Sequence, residues 1–338
     1  DALLGPGAES FKTAYGVTPG GNWEGHSILN RSARPELSSA ADEDLLTAQR
    51  EVLWRRREER VKPGWDDKVL ADWNGQMIAA LANAAAVFDE PRWLEAARAA
   101  FAFVRDEMSV DGRLRHSSRQ GRAQHAALLD DYANMARAAL TLYEVAGEGQ
   151  DLAQAEAWVE LVEVHYRDPR HGGYFYTADD AEGLITRTRT AADNAVPAGN
   201  GTIAAVLARL YYLTGDERYR DRAAATIAAF AGEVTRNFIP LATLLNAFEL
   251  LEAALQIVIV GERGEATTEA LLGVVHGASL PNRVLLVAAD GAALPAHHPA
   301  HGKGRVGGKP TAYVCRGTTC SLPVSEPEAL RAALPAPA

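Results

Sequence analysis

The chain has 338 residues, 47% of them hydrophobic and 23% charged, and carries a net charge of −10 at pH 7. That is long enough for one large or two ordinary domains with a sizeable core, and globular rather than disordered in composition. The acidic balance argues against a nucleic-acid partner, because the one basic run, Arg55–Arg57, is interleaved with Glu51, Glu58 and Glu59 and reads as a solvated helix face. No stretch of 18 uncharged apolar residues occurs, so no membrane span is expected. The opening DALLGPGAESF lacks the basic and apolar regions of a secretory leader; it also lacks an initiator Met, which points to a fragment. Two cysteines do not make a disulfide scaffold, and a cytoplasmic location is the expectation.

In chain order, the first feature is the loop GNWEGHSIL (21–29), whose Trp23 and Glu24 suit either a binding pocket or an ordinary surface turn. A helix is predicted over about 39–60, opened by Ser39 with Asp42 three residues on, a capping pattern. Asp66, Asp67 and Lys68 in WDDK follow, as substrate-binding candidates or a local ion pair. Three pairs of helices come next. The first member of each pair is small and apolar (77–88, 133–146, 201–213), and the second is amphipathic (about 91–107, 151–166, 217–232). Gly147 and Gly215 sit where a helix C-terminus wants a left-handed residue. SVDGRLRHSS (109–118) and DPRHGGYFYTADD (168–180) read as β-hairpins, and a last helix covers about 240–256. The tail alternates strand, helix and strand, then adds a strand, a cysteine-bearing loop and a short helix. The expected division is therefore a helical part, 1–256, and a small α/β unit, 257–338.

The helical part contains a repeat. NGQMIAALANAAAVFDEPRW (74–93) aligns without a gap on NGTIAAVLARLYYLTGDERY (200–219), with a weaker copy at 130–158 between them. Successive copies start roughly sixty residues apart, longer than the common helical repeats. The apolar first helices should be inner and the amphipathic second helices outer. Inner helices of successive hairpins then run parallel, so their N-termini emerge at one end. There the polar openings Asp72-Trp73-Asn74, Asp130-Asp131-Tyr132 and Asp193-Asn194 through Asn200 would converge.

Glycosidic bond cleavage usually uses two carboxylates, one as acid and one as base or nucleophile. A helix N-terminus suits the base, whereas burial or a neighbouring carboxylate is needed to make the acid. Asp131 and Asp193 are the expected catalytic pair. Asp130, Tyr132, Asn74, Asn194 and Asn200 are expected to line the site, with Trp73 as a sugar-stacking platform. Each also has an ordinary reading, the aspartates as helix caps or turn residues and Trp73 as packing. Cys315 and Cys320 are quiet thiols, a disulfide or redox pair, or, less simply, zinc ligands with His297, His298 and His301. No metal or cofactor is assigned.

YGVTPGGNWEGHSIL, DDKVLADWNGQMIAALA, LLDDYANMARAAL, ADNAVPAGNG and AYVCRGTTCSLPVSEPEAL, in that order, resemble the YyaL-type thioredoxin-domain family, which includes spermatogenesis-associated protein 20. The resemblance covers nearly the whole chain. It implies a partial (α/α)6 toroid of the six-hairpin glycosidase type, similar to N-acylglucosamine 2-epimerases and unsaturated glucuronyl hydrolases. It also implies that this chain corresponds to the C-terminal part, without the family's thioredoxin-like domain and first hairpins. That missing part, or another chain, is expected to cover an open edge. The leading functional reading is hydrolysis or epimerisation of a small carbohydrate. The alternative is a non-catalytic helical scaffold regulated through the thioredoxin-like domain of full-length relatives.

Overall fold

A computed structural model describes residues 1–335 apart from 37, 293 and 318. The chain falls into two compact units, Asp1–Asp66 and Asp67–Ala338. The first holds α1 (Ala8–Ala14) and α2 (Ala40–Glu58). The Ser39 hydroxyl accepts from the Asp42 N–H at 3.2 Å and donates to its carboxylate at 2.7 Å, so the predicted cap is formed. Gln49 of α2 donates to the Gly7 carbonyl at 2.8 Å, and Phe11, Ala8 and Leu46 make a small core.

The second unit is mainly α. It runs β1 (Val69–Leu70), α3 (Ala71–Phe88), α4 (Pro91–Ala102), β2 (Ser109–Val110), β3 (Arg113–Arg119), β4 (Arg122–Ala126), α5 (Leu129–Ala146), α6 (Gly149–His165), α7 (Gly199–Thr214), α8 (Glu217–Ala228), α9 (Ala231–Val234) and α10 (Ala242–Ala253). β5 (Leu255–Val260), α11 (Ala266–His276), β6 (Arg283–Ala288), β7 (Thr311–Arg316), β8 (Thr319–Cys320) and α12 (Pro327–Ala333) follow. The inner helices pack side by side, α3 on α5, α5 on α7 and α7 on α10, with α4, α6 and α8 each against its own partner. Along α5, Leu129, Tyr132, Met135, Ala136, Leu140 and Leu142 are all buried, as an apolar inner helix requires. Gly147 and Gly215 end α5 and α7 with φ of 80° and 76°, the left-handed value that a side chain disfavours.

Two expectations change. The inner helices begin at Ala71, Leu129 and Gly199, so for α3 and α5 the polar residues lie inside the first turn rather than before it. The first turn's N–H groups have no intrahelical partner, which is why polar residues are stable there. The segment 168–180 is not a β-hairpin: one bridge, Arg167 to Tyr174, is all the pairing it makes. Gly172 and Gly173 both have positive φ, and Asp168 instead accepts from the Arg170 and His171 N–H groups in a local turn. The segment 109–118 does form a hairpin, β2–β3, extended by β1 and β4 on β3.

The last sheet has order β6-β5-β7-β8, with β5 and β6 parallel and β5–β7 and β7–β8 antiparallel. Alternate residues face opposite ways along a strand. Val258, Val260, Val284, Leu286 and Tyr313 join the core of the helical hairpins. Ile257, Ile259, Leu285 and Val314 pack in a second core with residues of α11 and α12. Cys315 and Cys320 face each other across β7–β8 and are joined by a disulfide. No helix is long and apolar enough to cross a membrane among the described residues.

Candidate functional site

The parallel inner helices bring their N-termini to one end. A Cβ at Gly75 would lie 2.7 Å from the Asn134 carbonyl carbon, so α3 and α5 touch backbone to backbone one turn in. A Cβ at Gly199 would overlap the Asp130 carboxylate, and one at Gly201 would lie 2.9 Å from the Thr243 side chain and the Leu244 nitrogen. Glycines at the starts of α3 and α7 let these helices crowd against α5 and α10.

Asp131 is the hub of this end. It is fully buried, and its carboxylate accepts from the Leu128 N–H at 2.7 Å and from the Asp72 N–H at 3.0 Å. His116, carried on β3, lies 3.0 Å from the same carboxylate. That contact, more than any other influence, raises the His116 pKa, against the opposing effect of burial. Asp72 keeps one buried carboxylate oxygen without a partner. Burial first, then the Asp131 charge, pushes its pKa up. Ligand atoms of Asp72, His116 and Asp131 lie within 4.8 Å of one another, close enough to share a cation, although the hydrogen bonds among them already account for the cluster.

Asp130 is different. It is half-buried and lines a cleft of about 270 Å³ with Tyr176, Thr190, Asn194, Pro197 and Gly199. Its carboxyl is pushed up to about 6, by burial first and then by the charges of Asp131 and Asp72. A carboxyl that keeps its proton up to about pH 6 beside another carboxylate is the arrangement a general acid needs.

Trp73 projects from the first turn of α3 and is 59% exposed, as a stacking platform must be. Asn74 donates to the Leu70 carbonyl at 2.8 Å. The Tyr132 hydroxyl is buried and accepts from the Leu114 N–H at 3.0 Å. The Asn200 side chain is spent on Tyr174 and Thr190, where it pins the 168–190 segment to α7. Asn194 is exposed beside the cleft. Asp193 accepts from the Ala198 N–H at 2.9 Å and the Thr243 N–H at 2.8 Å, tying the starts of α7 and α10 together. Asp67 pairs with Arg119 at 2.5 Å, and Asp66, Asp67 and Lys68 are all exposed. Trp23 and Glu24 belong to the first unit, on an exposed turn in which Glu24 has φ of 46°.

His116 and Tyr176 are members that sequence reasoning missed. His116 sits on the correctly predicted β2–β3 hairpin, but nothing in its spacing marks it as the partner of Asp131. Tyr176 reaches the cleft only because the 168–180 segment is irregular.

With this geometry in view, residues 38–244 match the model of glycosyl hydrolase family 76. The chain belongs to that family. It is 32% identical to human spermatogenesis-associated protein 20 over 93% of this chain, and 30% identical to the mouse protein. It spans 43% of the length of the human relative. Among solved structures it is similar to a family 76 α-mannanase of Bacteroides thetaiotaomicron (16% identity, TM-score 0.46, 71% of this chain and 68% of that one). It is also similar to a cellobiose 2-epimerase of Spirochaeta thermophila (18% identity, TM-score 0.41, 50% of this chain and 44% of that one). As a member of family 76 the chain has a carbohydrate-processing fold of helical hairpins, extended by a small α/β unit.

Proposed function

We propose that the chain acts on a glycosidic bond bound at the N-terminal end of its inner helices, with Asp130 as the proton donor. The observation that carries this reading is the half-exposed Asp130 carboxyl, held near a pKa of 6 beside Asp131 and Asp72 and opening on a cleft. Protonating the leaving oxygen is the step a carboxyl of that strength performs near neutral pH. The second carboxylate is Asp72, which is not wholly enclosed as Asp131 is (7% exposed against 0%). Asp131 cannot meet substrate while fully buried; it positions His116 and the start of α3, and its charge keeps the proton on Asp130. Asp193, expected from sequence to be its catalytic partner, fastens two helix ends instead. Trp73 stacks on the sugar and Asn194 meets its hydroxyls.

The test is turnover of a panel of α-mannosides and other glycosides by this chain, joined to its N-terminal part where relatives have one. Asp130→Asn and Asp72→Asn should each lower kcat by about 10²–10⁴-fold while the protein stays folded. Asp193→Asn should stay within roughly threefold of the parent, because Asn also accepts from backbone N–H groups. Full activity in Asp130→Asn would sink the assignment. The backbone contacts of Asp131 and Asp193 favour a second reading, a non-catalytic sugar-binding scaffold. Binding without turnover of any glycoside would select it.

A further inference from the structure

A second cavity lies at the other end of the same helices, unrelated to the carboxylate cluster. It is lined by Tyr211 and Tyr212 of α7, Leu251 and Glu252 of α10, Arg220 of α8, Gln256 of β5, and the 297–299 loop. Its volume is about 180 Å³, the size of one six-membered ring, since a cavity of about 150 Å³ takes a benzene. α7 has 16 residues, so this cavity lies about 24 Å along the helix from the candidate active site, at 1.5 Å per residue.

The polar groups at its wall define what it can hold. Gln256 is 2% exposed, and its Oε1 has no hydrogen-bond partner. An orphan buried acceptor is costly unless something donates to it. Two of the groups beside it are already engaged. The Tyr212 hydroxyl donates to the Leu251 carbonyl at 2.6 Å. His298 donates from Nε2 to the Tyr212 carbonyl and accepts at Nδ1 from the Ala300 N–H. Burial lowers the His298 pKa, which suits that neutral form. At the mouth, Arg220 and Glu252 enter no ion pair among the described residues. The site thus offers one buried acceptor that needs a donor (Gln256), an exposed carboxylate and guanidinium at the mouth (Glu252, Arg220), and two tyrosine rings.

We propose that this cavity is a second carbohydrate site that seats one pyranose ring. Each sugar hydroxyl both donates and accepts, so one ring satisfies Gln256, Glu252 and Arg220 together. Its C–H face packs on the tyrosines. A purely apolar ring would leave the Gln256 oxygen unpaired, and an anion would oppose Glu252.

The experiment is saturation-transfer NMR on the full chain with D-glucose, D-mannose and N-acetyl-D-glucosamine, each at about 50 mM, above the millimolar Kd expected of a single ring. Trp73→Ala is the background, to remove the stacking platform of the candidate active site and with it sugar binding there. At least one sugar should bind, and Gln256→Leu and Tyr211→Ala should each weaken it about tenfold or more. Gln256→Leu removes a buried unpaired oxygen from an isosteric position, so its Tm should hold or rise by about 2 °C or more, showing that lost binding is not lost folding. The proposal is overturned if none of the three sugars binds, if Gln256→Leu binds them unchanged, or if phenol binds through Gln256 and the sugars do not.

Discussion

The Asp130 carboxyl and the His116 imidazole both have raised pKa values, and the two shifts push stability in the same direction with pH. A group whose folded pKa exceeds its unfolded one stabilises below the unfolded value and loses that contribution as pH rises through the folded value. For Asp130 the loss runs from 3.8 up through about 6. For His116 it begins above 6.5 and completes above its raised folded value. Asp130→Asn should therefore flatten the fall in Tm between about pH 4 and 6, measured by thermal melts across pH. Asp131→Asn removes the anion that stabilises protonated His116, so the His116 ring titration, followed by NMR, should move down. A His116 titration indifferent to Asp131→Asn would mean that the pair does not exist in solution. The same ionisation governs catalysis. Activity that depends on a protonated Asp130 should decline above about pH 6, and that alkaline limb should be missing from whatever activity Asp130→Asn retains.

At the level of elements, the convergence of helix starts rests on glycines. Gly75 is the most confined, because the atoms a methyl would meet belong to the Asn134–Met135 backbone and cannot rotate away. Gly75→Ala should destabilise by about 1–3 kcal/mol, the usual effect of overpacking, and should lower turnover as α3 shifts from α5. Gly149→Ala is the control: a Cβ there meets nothing within 4 Å, and the change should be neutral or slightly stabilising in chemical denaturation. These glycines explain how much was legible. The 126-residue shift that aligns Asn74-Gly75 with Asn200-Gly201 predicts parallel inner helices, because a repeat in sequence is a repeat in direction. Helix type and order follow from apolar periodicity. What each polar residue does was not legible. Asn74 and Asn200 occupy equivalent places, yet one bonds to the residue just before its own helix and the other holds a loop. That difference comes from what packs beside each helix, which no local pattern encodes. The same holds for Asp130 and Asp131: adjacent in sequence, they point to a cleft and into the core.

For the second unit as a whole, the question is whether the C-terminal sheet is a separate domain or a wall of the toroid core. The sequence division between 256 and 257 falls inside β5, two residues past its start at Leu255 and just beyond the end of α10 at Ala253. Energetically the two parts are joined. Leu286 and Val284 of β6, with Val258 and Val260 of β5, bury their side chains among the inner-helix residues, while the opposite face of the sheet has its own core under α11 and α12. Arg263 fastens the join by donating to the Glu144 and Val145 carbonyls at the C-terminal end of α5, where helix carbonyls lack partners. Buried charge supports it as well, since the Glu144 carboxylate pairs with Arg209 of α7 and accepts from the Leu285 N–H at 3.3 Å. A cavity made at Leu286 should therefore be felt by the helices. Leu286→Ala should cost about 2–5 kcal/mol. It should lower the melting temperature of the helical circular dichroism signal by about 4 °C or more. If the sheet were a separate domain, the helical transition would stay where it is and only a sheet transition would move. The readout is two-channel, far-ultraviolet dichroism for the helices and hydrogen exchange of the β5 and β6 amides for the sheet. Coincident shifts in both channels are the expected result, and a shift confined to β5 and β6 would restore the two-domain division.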